Sequence, residues 1–93
     1  MIRHQKHYLE FIRQEGVGEH DVVADSRKSY VSYLNSVSEK LEIEIGPRTA
    51  GTYADVEHLV KTLEDRGVAK KTIGNYKSAL RQYVKMVESL GLK

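Results

Sequence analysis

The chain reads as an all-α protein, a compact bundle of four helices arranged as two helical hairpins. Three observations predict this. Apolar residues recur at steps of three and four through four separate stretches, which is the period of an amphipathic helix. Those stretches are separated by glycine-bearing connectors. Proline occurs once, whereas Leu, Val, Lys and Glu recur throughout, a composition that suits helices better than a sandwich of strands. With 93 residues the chain holds one domain, residues 1–93, and enough apolar side chains for a thin core.

The first helix is expected from Arg3 to Glu15, with Tyr8, Leu9 and Ile12 on one face and Gly16 and Gly18 closing it. A polar loop, Glu19 to Ala24, follows. The second helix begins at Asp25 or Ser26, either of which can cap free N–H groups, and runs to Leu41. Its apolar stripe is Tyr30, Leu34, Val37 and Leu41. Glu42 to Gly51 is a connector. The alternation Ile43-Glu44-Ile45 is too short for a strand, and Gly46-Pro47 marks a turn.

The third helix opens at Thr52, which with Asp55 has the spacing of a capping box. It buries Val56, Leu59, Val60 and Leu63 and ends at Gly67. The fourth helix runs from Lys70 to Leu90, with Ile73, Tyr76, Leu80, Tyr83, Val87 and Leu90 in an unbroken three-four repeat. The halves echo one another. His7-Tyr8-Leu9 through Gly16-Val17 matches His58-Leu59-Val60 through Gly67-Val68 in length. Ser29 to Leu34 and Asn75 to Leu80 share the pattern small-polar, Tyr, any, Ser, any, Leu. Two similar hairpins packed together would produce this echo, and so would chance similarity between amphipathic hairpins.

Composition excludes several function classes. There is no cysteine, so disulfides, thiolate metal sites and cysteine nucleophiles are absent, which suits a cytoplasmic location. The polar start MIRHQKHYLEF has no apolar run long enough for a signal peptide or a membrane span. No glycine-rich phosphate loop follows a strand, and Glu64-Asp65 and Glu42/Glu44 lack a pocket-forming sequence around them. The chain is therefore expected to have no enzymatic activity and no cofactor. His4 and His7 stand three apart on one helix, but without cysteine or a carboxylate triad a metal site is not expected. His58 suits a structural role on the third helix, and His20 a solvated place in an acidic loop.

The charge distribution is informative. Net charge is +2, yet residues 68–93 hold six bases and one acid, a local +5, which leaves −3 on the rest of the chain. At about 100° per residue, Lys70, Lys77, Arg81 and Lys85 fall within about 80° of one another on the fourth helix. Gly74 lies in the same stripe, Ser78 at its edge and Lys71 nearby. Four cations beside an apolar seam can each meet a phosphate, although an ordinary solvated face has the same look. The second helix adds Arg27 and Lys28, with Ser29, Ser32, Asn35 and Ser36, whose short polar groups suit phosphates or base edges. Tyr8, Tyr30, Tyr76 and Tyr83 lie on apolar seams and are expected in the core. Tyr33 and Tyr53 are left as weaker candidates for stacking on unpaired bases.

Thr72-Ile73-Gly74-Asn75-Tyr76-Lys77-Ser78-Ala79-Leu80-Arg81-Gln82-Tyr83 resembles the last helix of the SAM-like core-binding domain of phage integrases and other tyrosine recombinases. Thr52 to Leu63 resembles its third helix and Tyr30 to Leu34 the helix after its first turn. Similar four-helix modules precede restriction-type nuclease domains. The resemblance implies binding of duplex DNA by the second and fourth helices, with a separate domain on the same parent chain doing the chemistry. Ala69 departs from the family, which usually has a serine cap there, and the recombinase catalytic residues have no counterparts. The expected interface is thus Lys70, Lys71, Lys77, Ser78, Arg81 and Lys85, with Arg27 and Lys28. The alternative is a protein-interaction or self-association module, which gains if Tyr83, Val87 and Leu90 form an exposed apolar patch, whereas DNA binding gains if they are buried and the lysines stand together.

Overall fold

The computed structural model describes residues 2–15 and 23–92, with side chains for 2–14 and 29–92. Helices dominate, and no strand is present among the described residues. The elements are α1 (Gln5–Glu15), α2 (Val23–Leu41), α3 (Pro47–Ala50), α4 (Tyr53–Asp65) and α5 (Lys70–Leu90). The Gly16 and Gly18 stop, the head of the expected loop and His20 lie outside the described residues, while Val23 and Ala24 already belong to α2.

The helix count differs from the expected four. The connector Glu42 to Gly51 holds a one-turn helix, α3, with Pro47 at its start, where the missing N–H costs nothing. The Thr49 hydroxyl accepts from Gly46 N at 2.9 Å and donates to Glu44 O at 2.6 Å, so Gly46-Pro47 initiates a helix and does not simply turn the chain. Four residues are too few to display a helical period, so this element left no pattern to read.

The first helix also starts later than Arg3. Arg3 N donates to Ile45 O at 2.8 Å, and Ile2 and Ile45 form a single parallel bridge, so the N-terminal residues are extended beside the connector. His4 then turns through a left-handed conformation (φ 60°), and α1 begins at Gln5. This bridge buries Ile2 and Ile45. The alternation Ile43-Glu44-Ile45 thus marks one rung of pairing without a strand.

The expected caps of α4 are present. Asp55 N donates to Thr52 Oγ1 at 3.1 Å, and Thr52 N donates to Asp55 Oδ2 at 3.2 Å. At its other end Gly67 takes φ 80°, Gly67 N donates to Glu64 O, and Val68 N donates to Leu63 O. This double bond pattern closes a helix through a left-handed residue, which glycine adopts without a Cβ clash. Gly91, at φ 63°, ends α5 in the same way, with Leu92 N donating to Val87 O.

Helix α5 is the axis of the domain. Its 21 residues span about 30 Å, nearly the 34 Å long dimension, and it touches each of the other four helices. It buries Ile73, Tyr76, Leu80, Tyr83 and Val87 of the expected seam, and Ala79, Val84 and Met86 as well. Leu90, the last member of that seam, is exposed. The widened apolar face follows from contact on several sides. α1 packs on α2, α4 on α5, and α2 most extensively on α5.

Four tyrosines fill the core as expected, and each polar tip that is fully enclosed has a partner. Tyr8 Oη donates to Ala79 O at 2.8 Å, and Tyr83 Oη donates to Arg3 O at 2.7 Å. Burying a phenol is tolerable only with such a partner. Tyr33 is half-buried, its ring 6.1 Å from that of Tyr30 and 6.0 Å from that of Tyr76. Tyr30 and Tyr76, the two tyrosines of the internal echo, are therefore both core residues joined through Tyr33, and Leu34 and Leu80 are buried with them.

Candidate nucleic-acid interface

The uncovered face of α5 builds the site. Helix geometry puts Lys70, Lys77, Arg81, Gly74, Lys85, Ser78 and Lys71 on one side, opposite the buried seam. Lys70, Lys71, Gly74, Arg81 and Lys85 are exposed, and Lys77 and Ser78 are half-buried at the two borders. Glu88, one turn beyond Lys85, is the first acid met along the helix.

Local stability is given up along this face. The first turn of α5 has two lysines, no acid, and an N-cap residue, Ala69, that makes no side-chain cap bond. Lysines at a helix N-terminus oppose the macrodipole, by roughly 0.3–1 kcal/mol each. Gly74 sits inside the helix, where glycine costs roughly 1 kcal/mol relative to alanine, and a Cβ there would meet nothing within 4 Å. Packing therefore does not require the glycine.

The two borders of the stripe differ. On one side α4 presents Tyr53 and Glu57, one helical turn apart, to Arg81 and Lys77, also one turn apart. The Arg81 guanidinium lies 5.5 Å from the centre of the Tyr53 ring, and Lys77 Nζ lies 3.2 Å from Glu57 Oε1. On the other side Ser78 donates its hydroxyl back to Gly74 O at 3.2 Å, which engages its proton within α5. Beyond it a groove of about 220 Å³ runs between α1 and α5, lined by Phe11, Gln82, Lys85, Glu88 and Ser89. Among the described residues no ion pair involves Lys70, Lys71 or Lys85.

The structure therefore gathers Lys70, Lys71, Lys77, Ser78, Arg81 and Lys85 onto one face. The side chains of Arg27 and Lys28 lie outside the described residues. Tyr76, which meets α2 through Tyr33, is about 140° around α5 from Arg81. Of the stripe's two partners on α4, Glu57 was missed by sequence reasoning, whereas Tyr53 was expected only as a weaker candidate for base stacking, without its place beside Arg81. The one signal that could have linked the two is their four-residue spacing on a face otherwise unaccounted for.

The remaining candidates are dispersed. His4 and His7 meet edge to face at 5.8 Å, and no group of three or more metal-ligating side chains occurs among the described residues. His58 is exposed on α4 and is not a core residue, because it falls between the buried positions Val56 and Leu59 on the outer face. Glu44 pairs with Arg3 at 3.7 Å beside a second hollow lined by Arg3, Glu44, Gly46, Arg48 and Thr49. No described helix is long and apolar enough to cross a membrane. Compared with family models, with curated proteins and with solved structures, the chain finds no match.

Proposed function

We propose that this chain is a non-catalytic duplex DNA-binding module that uses the outer face of α5. The observation that carries the reading is that an uncapped, lysine-bearing first turn and an interior glycine with no packing role lie together on the exposed face of α5. Its uncapped lysine-bearing first turn and its unforced Gly74 stand in line with Lys77, Arg81 and Lys85. Local rules are broken where function needs it, and an anion on this face compensates both the lysines and the helix N-terminus. A row of cations along about 22 Å of helix, from Lys70 to Lys85, suits phosphates repeating along a duplex. Gly74 leaves room for the sugar-phosphate backbone to approach.

The resemblance of Thr72–Tyr83 to the recombinase core-binding domain supports the same reading, as do the contacts of α1 with α2 and of α4 with α5, which two packed hairpins would make. On this reading the chain works in the cytoplasm without a cofactor, and a recombinase or restriction-type nuclease domain of the same parent chain supplies the chemistry. The burial of Tyr83 and Val87, with only Leu90 of that trio exposed, favours this reading over a protein-interaction module.

The test is a titration of the isotopically labelled chain with a mixed-sequence duplex, read by amide NMR at two salt concentrations. Shifts centred on residues 70–85 that fade as salt rises are expected. A spectrum indifferent to DNA at low salt overturns the reading.

A further inference from the structure

Six tyrosines occur in the chain, and the fold accounts for five of them. Tyr8, Tyr30, Tyr76 and Tyr83 are buried, and Tyr33 is half-buried between two other rings. Tyr53 is different. It is the first residue of α4, 41% exposed, and its ring lies at the border of the cation stripe beneath Arg81. No packing demand places an aromatic there, since the buried stripe of α4 begins at Val56.

We infer that Tyr53 and Arg81 together form a stacking platform for an unpaired DNA base, so that the module prefers duplex bearing a single-stranded extension over blunt duplex. The inference rests on the DNA-binding reading of α5. A duplex exposes phosphates and groove edges along its length, but base faces are accessible only where stacking ends. Cations alone track the backbone. An aromatic ring among them adds affinity for a π-face whatever the base, and a guanidinium laid on that ring extends the stack and fixes its orientation. Lys77 and Lys85, on either side of Arg81 along α5, are placed to hold the phosphates of the strand whose end enters the platform. Tyr53 stands outside the buried core cluster, so its substitution reports on this contact while leaving the core side chains in place.

The experiment uses Tyr53→Trp, which introduces the only tryptophan of the chain and retains a ring beneath Arg81. The variant and the wild type are titrated with a blunt hairpin duplex and with the same hairpin carrying a short single-stranded tail. The tailed hairpin is expected to bind about tenfold more tightly, from one stacked base, and to quench the tryptophan where the blunt one does not. In Tyr53→Ala the tailed-to-blunt ratio is expected to fall to about one. Equal affinity for both DNAs without quenching overturns the platform while leaving the duplex reading intact. Absence of binding to either DNA by the wild type overturns both.

Discussion

Lys77 Nζ lies 3.2 Å from Glu57 Oε1, so one cation of the α5 stripe already faces a carboxylate where a phosphate would sit. The pair is solvent-accessible on both sides, and such exposed pairs contribute little to stability, about 0–1 kcal/mol. Its consequence is for binding: a phosphate that recruits Lys77 must displace Glu57. Glu57→Gln is expected to tighten DNA binding about two- to fivefold and to steepen its salt dependence by up to about one counterion. Glu64→Gln, which removes the same charge two turns further along α4, provides the long-range baseline. Fluorescence anisotropy at several salt concentrations checks this. Equal gains in the two variants would show that Lys77 does not meet the DNA.

Gly74 separates stability from binding. A methyl group at this position meets no neighbour, and alanine is the better helix former. Gly74→Ala is expected to raise unfolding stability by about 0.5–1 kcal/mol in urea titrations. The same methyl stands in the centre of the stripe and holds off an approaching backbone, so DNA affinity is expected to fall several-fold. A variant that is more stable and binds equally well would remove the backbone-approach role.

Alkaline pH acts through the core phenols. Burial pushes the Tyr83 hydroxyl up from 10.0 to about 12, with Arg3 opposing and Glu44 assisting, and burial holds Tyr8 well above the usual tyrosine range. The folded state thus favours the neutral phenol. Its contribution is fully present below about pH 10, where the unfolded chain would begin to ionise, and is lost as pH rises toward about 12. Thermal melts followed by circular dichroism are expected to show a steep decline across that window. Tyr83→Phe is expected to flatten the decline and to cost about 1 kcal/mol at neutral pH, because the hydrogen bond to Arg3 O disappears.

The end of α2 stores a small strain. Glu42 adopts φ 54°, a left-handed conformation that crowds its Cβ, while Ile43 N donates to Ser38 O to close the helix. Glycine is the natural residue there. Glu42→Gly is expected to stabilise the domain by about 0.5–1 kcal/mol, measured as a higher urea midpoint with an unchanged slope. A lower midpoint would mean that the Glu42 side chain contributes more than its backbone strain costs.

Much of this fold is legible residue by residue. The three-four repeat from Ile73 to Val87 foretells the buried seam of α5, because only a helical period brings those side chains to one face. Thr52 and Asp55 foretell the start of α4, since both capping bonds form within four residues. The concentration of cations on the outer face of α5 is local in the same sense. Where the helix is a single turn, as in α3, or where a left-handed residue is not glycine, as at Glu42, no periodic or glycine signal exists.

The rest depends on residues distant in the chain. Ile2 meets Ile45, Tyr8 reaches Ala79, and Tyr83 reaches Arg3, which together anchor the N-terminal residues against the connector and α5. Periodicity assigns a residue to the inner or outer face of its own helix and is silent about which helix lies alongside. The sequence therefore places Lys77 and Arg81 among the outward cations. Only the packing of α4 against α5 gives one of them a carboxylate and the other an aromatic ring, because that juxtaposition is set by the angle and register at which two helices bury their apolar faces together.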